Sequence, residues 1–338
     1  MKFIRLAGAL TFVVVLSLAL HQVRSGVSTA PDFPTRSIAS GEQEVIIEIA
    51  AGTSGSDLAE LLFKEKVIKS SLAYFRLAVV DKRSAKVSPG THRLSLTISA
   101  AQALNQLLDP ARIPNLIKVF EGAWKSEIIE SMRTYGFTSA QINGGFKNLV
   151  LPVGFTDAEG LLFPAQYSFA RQTSASQVLQ AMVNRFRAEK IGQEVLAVTG
   201  KYSPLEILTV ASIAQSEGDA ADFSKVARVI FNRLTISMPL QMDSTVHYVK
   251  KVRGQIFLST TSTLIKSPYN TYKNYGLPPS PIGNPGAAAM EAALNPAIGD
   301  WLYFITVAPG DTRFTASNDE FNDWKLLYKK NRKAGAFN

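Results

Sequence analysis

The side chains that could do chemistry in this 338-residue chain are carboxylates, hydroxyls and amides. Cysteine is absent, which removes thiol nucleophiles, Cys-based zinc sites, Fe–S clusters, disulfides and a lipidated N-terminal cysteine. His21, His92 and His247 lie far apart in sequence, so a His-rich metal centre or a Ser-His-Asp triad lacks material. One carboxylate stands out by its spacing. Tyr202-Ser203-Pro204-Leu205-Glu206 opens a helix, with Ser203 as N-cap, Pro204 in the first helical position and Glu206 closing a capping box. The helix continues from Ile207 and stops at Gly218. Ile213, Ala214 and Val210 share a face with Glu217, which puts this carboxylate on the apolar stripe and at the negative end of the helix dipole. Both surroundings penalise the charged form. A carboxylic acid still protonated near neutrality is what a general acid requires. Spacing alone equally fits a glutamate fraying into water beside Gly218.

The residues that follow favour a site. A second amphipathic helix spans about Phe223–Ile236, ended by Pro239. Leu240–Thr245 then reads as a short non-helical stretch carrying Gln241, Asp243, Ser244 and Thr245. Tyr269-Asn270-Thr271-Tyr272 alternates aromatic and polar groups, and Gly276–Gly286 (GLPPSPIGNPG) is stiff, turn-rich backbone. Rings that stack on pyranose faces, with amides and hydroxyls that read sugar hydroxyls, suit a polysaccharide.

The elements upstream form an α+β pattern. Strand Val45–Ile49, a helix capped near Ser56-Asp57, a helix from Ser70 with Leu72, Phe75, Leu77 and Val80 as its apolar face, strand Thr91–Leu96 and a Ser99-capped helix give β-α-α-β-α. A strand at Leu116–Phe120, a helix over Ser126–Tyr135 and a Ser174-capped helix with Val178, Leu179, Met182, Val183 and Phe186 inward come next. The N-terminus has Lys2 and Arg5 before an apolar run, Leu6–Leu20, which fits a cytoplasmic N-terminus and either a membrane helix or a signal peptide cleaved near Ser28-Thr29-Ala30. The expected division is a membrane segment at 1–24, a linker at 25–42, the small module at 43–110, a connecting α+β region at 111–200, a catalytic region at 201–328 and a basic, solvated tail at 329–338. Lys and Arg number 36 against 27 Asp and Glu, a net charge of +9. That favours an anionic partner such as a cell-wall polymer or a phospholipid surface. No nucleic-acid motif accompanies it.

Several of these motifs, in order, resemble the MltG/YceG-like endolytic murein transglycosylases. They are Glu159–Pro164 (EGLLFP), Leu208–Glu217 (LTVASIAQSE), Val226–Leu234 (VARVIFNRL), Leu240–Val246 (LQMDSTV), Tyr269–Tyr272 (YNTY), Gly276–Gly286 and Ala293–Pro296 (ALNP). The resemblance covers about residues 43–325. It implies a single-pass membrane anchor, a LysM-like region at the β-α-α-β-α module and an extracytoplasmic α+β catalytic domain. The implied reaction is non-hydrolytic cleavage of the β-1,4 bond between N-acetylmuramic acid and N-acetylglucosamine in nascent glycan strands, leaving 1,6-anhydro ends, with neither metal nor cofactor. Peptidoglycan strands and peptidoglycan synthases are the implied partners. The family's catalytic glutamate falls on Glu217. Gln241, Asp243, Tyr269, Asn270, Tyr272 and Asn284 are the candidates for orienting the sugar or supporting Glu217. Departures from the family pattern are Gln215 in place of a second acid, Ser244 and Ser280 where Pro and Gly are commoner, and Arg313-Phe314 near the end. A hydrolase pairing Glu217 with Asp243, or a wall-binding scaffold without catalysis, are the competing readings.

Overall fold

The structure, a computed structural model, describes residues 30–337 apart from 39–40, 115, 171, 254–258 and 260. The expected membrane segment at 1–24 lies outside the described residues. Among the described residues no helix is long and apolar enough to cross a membrane. The chain divides into two compact units, the second comprising 116–167 and 172 onward.

In the first unit β1 (Glu44–Ile49) pairs antiparallel with β2 (Gly90–Ser95), reached through α1 (Gly55–Lys64) and α2 (Ser71–Val80) and followed by α3 (Ala100–Leu107). Ile47, Leu62, Tyr74, Leu94 and Leu104 meet in its core. Two expectations change here. The first helix is capped by Ser54, whose Oγ accepts from the Asp57 N–H at 3.2 Å, two residues ahead of the expected Ser56. On α2 the predicted face is largely outside: Leu72, Phe75 and Val80 are exposed and Tyr74 is the buried residue. A helix that is apolar nearly all round gives no stripe to read. The stretch expected as linker is also tied down. The Asp32 carboxylate accepts from the Ala100 N–H at 3.1 Å and the Gln102 amide donates to the Arg36 carbonyl at 2.6 Å, so residues 31–36 cover the start of α3.

The second unit opens with β3 (Ile117–Val119), α4 (Lys125–Tyr135) and α5 (Ser139–Lys147), and β4 (Ala165–Tyr167) pairs antiparallel with β3. Then come α6 (Ala175–Ala188), α7 (Lys190–Leu196), α8 (Pro204–Glu217), α9 (Phe223–Thr235) and α10 (Asp243–Lys250). The chain ends with α11 (Ala287–Leu294), the hairpin β5 (Tyr303–Ala308) and β6 (Asp311–Thr315), and α12 (Asn318–Lys333). The capping box of Ser203 and Glu206 starts α8 as its sequence requires, and Ile207 through Ala214 are all buried. This is a core helix wrapped by α7, α9, α10 and α11. The expected non-helical stretch ends at Met242, because Asp243 begins α10. The basic run at 329–333 is no tail but the last turn of α12, where lysines and arginine suit the negative helix end.

A buried polar hub locks the Pro/Gly-rich loop against α8. Gly122 and Ala123 bridge to Asn284, with Gly122 N–H to Asn284 O at 2.7 Å and Asn284 N–H to Ala123 O at 2.9 Å. The approach requires glycine at 283, where a Cβ would stand 2.8 Å from the Gly122 carbonyl oxygen. From α8, Ser212 Oγ accepts the Ile282 N–H and Gln215 Oε1 accepts the Gly286 N–H, both at 3.0 Å. Asn284 itself is wholly buried. Its Oδ1 accepts the Leu162 N–H at 2.8 Å, and its amide donates to Ala123 O at 2.9 Å and Glu159 Oε1 at 3.0 Å. Glu159, 1% exposed, also accepts from the Lys125 N–H and the Tyr248 hydroxyl, each at 2.9 Å. Burial pushes this carboxyl up to about 7, against the pull of those hydrogen bonds. Its folded-state value therefore lies above the unfolded one, and its contribution to stability falls as pH rises through about 5 to 7. Glu159→Ala removes the shared acceptor of one buried and two part-buried donors and is expected to cost about 3 kcal/mol in urea unfolding. Glu159→Gln should flatten the loss of stability over that pH window; an unchanged pH slope would assign it elsewhere.

Candidate active site

Glu217 is the last residue of α8, and its helix ends where α10 begins. Its Oε1 accepts the backbone N–H of Ser244 at 2.9 Å, so the carboxylate meets the positive end of α10 from the negative end of α8. It opens onto a cleft of about 730 Å³ whose wall includes Arg233, Gln241, Asp243, Tyr272, Tyr303 and Phe321. Protein encloses the carboxylate on its other sides, and this burial raises its pKa first and most. The Ser244 hydroxyl and N–H act the other way, Asp243 adds to the rise and Arg233 offsets it. The Ser244 Oγ sits beside the carboxylate without the geometry of a hydrogen bond and has no other partner. Because Oε1 must offer a lone pair to the N–H, a proton on this group belongs to Oε2.

Three of the six residues expected beside Glu217 line this cleft: Gln241, Asp243 and Tyr272. The Tyr272 hydroxyl donates to Asp243 Oδ1, which fixes both side chains. Gln241 holds a left-handed backbone conformation at φ 49°, a costly one for a side-chain-bearing residue. Thr271, 1% exposed, holds this corner: its carbonyl accepts the Gln241 N–H at 3.2 Å and its Oγ1 the Met242 N–H at 2.9 Å.

The other three stand elsewhere. Asn270 is fully buried and donates to the carbonyls of Thr263 and Ile265 at 3.0 and 2.8 Å, while its Oδ1 accepts the Tyr272 N–H at 3.0 Å. It sets the backbone that presents Tyr272. Tyr269 shares a hydrogen bond with Ser280 at 2.6 Å, packs 5.2 Å from the Tyr248 ring and lines a separate recess with Trp124 and Glu159. Asn284 belongs to the buried hub and has no side-chain atom to spare for a sugar.

Sequence reasoning missed several wall residues. Arg233 is buried, donates to the Leu302 carbonyl at 2.6 Å and to the Leu240 carbonyl, and lies 5.5 Å from the Tyr303 ring centre. Its position on the apolar side of α9 was the available signal, since a buried arginine needs fixed acceptors. Tyr303 and Phe321 stack at 5.1 Å, joining β5 to α12. Neither carried a local signal, because only the tertiary fold brings residues about a hundred positions downstream to Glu217.

The YceG-like family model matches residues 47–325. The chain is 33% identical over 315 residues to an endolytic murein transglycosylase of Bacillus subtilis (strain 168), spanning 86% of each sequence. It is 26% identical to an endolytic murein transglycosylase of Streptococcus pneumoniae serotype 2 (strain D39 / NCTC 7466), spanning 87% of this chain but 60% of that protein. A crystal structure of a YceG-like protein from Listeria monocytogenes superposes with a TM-score of 0.56 at 27% identity, covering 83% of this chain and 98% of that one. A pattern of this extent, together with a relative of this identity, places the chain in the YceG-like family.

Proposed function

We propose that this protein is a lytic transglycosylase of peptidoglycan that cuts nascent glycan strands internally, at the β-1,4 bond between N-acetylmuramic acid and N-acetylglucosamine. One observation carries the reading: a carboxyl disfavoured as an anion, at the end of a core helix, opening onto an aromatic and polar cleft. The relatives named as endolytic murein transglycosylases support the substrate and the reaction class.

In this mechanism Glu217 donates its Oε2 proton to the glycosidic oxygen as the bond to C1 breaks. The carboxylate so formed is steadied by the Ser244 N–H and the Arg233 charge. It then takes the proton of the muramic acid C6 hydroxyl, whose oxygen attacks C1 of the same sugar and closes the 1,6-anhydro ring. The attacking group is tethered to its target, so its encounter costs little entropy. Tyr303, Phe321 and Tyr272 offer rings to the sugar faces, and Gln241 and Asp243 offer hydrogen bonds. In the same reading residues 1–24 anchor the chain in the cell membrane with the body outside the cytoplasm. The module at 43–110 acts as a LysM-like glycan contact, and peptidoglycan synthases are partners.

Digestion of uncrosslinked peptidoglycan, with products identified by mass, tests the reaction. Wild type is expected to leave 1,6-anhydro ends and Glu217→Gln to lower their rate of formation by about 10³-fold. Reducing ends from wild type would instead favour a hydrolase that uses Asp243 in the same cleft. Asp243→Asn removes a charge that raises the Glu217 pKa yet keeps an oxygen for the Tyr272 hydroxyl. The alkaline limb of its kcat/KM profile should therefore move to lower pH; a shift upward would contradict the assignment of Glu217 as the acid.

A further inference from the structure

The first unit carries an apolar face that its own core does not use. On α2 the inner residues Tyr74, Leu77 and Ala78 pack on that core. The outer face holds Leu72, Phe75 and Val79, at helical spacing i, i+3 and i+7, with Val80 beside them. All four are exposed, Val79 by 70% and Val80 by 77%. A connected stripe of this kind marks a surface that something else covers. The chain around it is cationic. From Lys66 to Gly90 it holds six Lys and Arg and one acid, Asp81, which Arg83 already pairs at 2.7 Å. Exposed Lys66 and Lys69 precede the helix, exposed Lys82 and Lys86 follow it, and Arg76 lies on the apolar face itself.

Apolar side chains rimmed by long cationic ones suit the boundary of an anionic bilayer, where rings and branched chains enter the acyl edge and cationic heads reach the phosphates. A second copy docked through the same face would set like charges together. Position selects the same partner. The hydroxyl of Ser70, the N-cap of α2, donates to the Pro31 carbonyl at 2.7 Å, and Lys69 Nζ lies 5.9 Å from the Phe33 ring centre. The chain therefore enters this unit at the start of α2. Pro31 stands seven residues beyond residue 24, where the proposed anchor ends, which is at most about 25 Å of chain. We infer that the outer face of α2 docks on an anionic phospholipid surface and lays the module at 43–110 against the membrane. The inference rests on the anchor reading of residues 1–24 and is independent of the cleavage chemistry.

Because the chain lacks cysteine, Val79→Cys gives a single thiol for an environment-sensitive dye. The full chain so labelled is reconstituted in vesicles of phosphatidylglycerol with phosphatidylcholine, or of phosphatidylcholine alone. Both carry nitroxide-bearing lipids that quench a dye at the acyl boundary, and co-flotation with the vesicles reports anchoring. Val153→Cys, at a 99% exposed position of the second unit, is the control. In anionic vesicles the Val79 dye should be quenched well beyond the control. Neutral lipid, 1 M salt, Phe75→Ser or the pair Lys82→Glu and Lys86→Glu should each lower that quenching by about threefold. Equal quenching at the two positions, or quenching unmoved by these changes, overturns the docking and leaves the anchor standing. A blue shift that requires soluble glycan strands, or one that grows with protein density on the vesicle, gives the face to a glycan or a second copy and also overturns it. A chain that does not float with the vesicles overturns both.

Discussion

The structure turns on one contact, the hydrogen bond from the Ser244 N–H to Glu217 Oε1. It joins the end of a buried helix to the start of another and leaves an acid between opposed influences. The α8 terminus, burial and Asp243 disfavour charge, while the Ser244 group and Arg233 make a transient anion tolerable. A group that must give up and then retrieve one proton needs both. Were burial alone in charge, the anion formed at bond cleavage would be too costly; were the donors alone in charge, no proton would be held to give.

The rest of the second unit keeps that contact in place. Every residue of α8 from Ile207 to Ala214 is buried, so the helix cannot rotate Glu217 away without exposing them. Ser212 and Gln215 reach from α8 to the 282–286 backbone, and Asn284 and Glu159 tie that loop to the start of α4 and to Tyr248 on α10. Gln215 Oε1 makes a hydrogen bond to the Gly286 N–H that an acidic oxygen could also make.

Local physics made the helices legible. Capping boxes at Ser99, Ser174 and Ser203 each start the helix their spacing announces, and the inward residues of α6 are all buried. Glu217 could be singled out because its neighbours three, four and seven positions back are apolar. The misreadings at the site share one cause, dependence on distant partners. The Asp243 helix start relies on Thr271 across a loop. Asn270 and Asn284 have the composition of sugar readers but spend their amides on backbone groups that sequence does not juxtapose. The cleft wall from β5 and α12 is likewise a product of packing alone.

The most direct measure of the central claim is the titration of the Glu217 side chain itself, followed by carbon NMR of glutamate-labelled protein and assigned by difference with Glu217→Gln. The account predicts a midpoint above the ordinary glutamate value of about 4.3. A midpoint at or below that value would mean that the acid is already spent at neutral pH, and the mechanism built on it would fail.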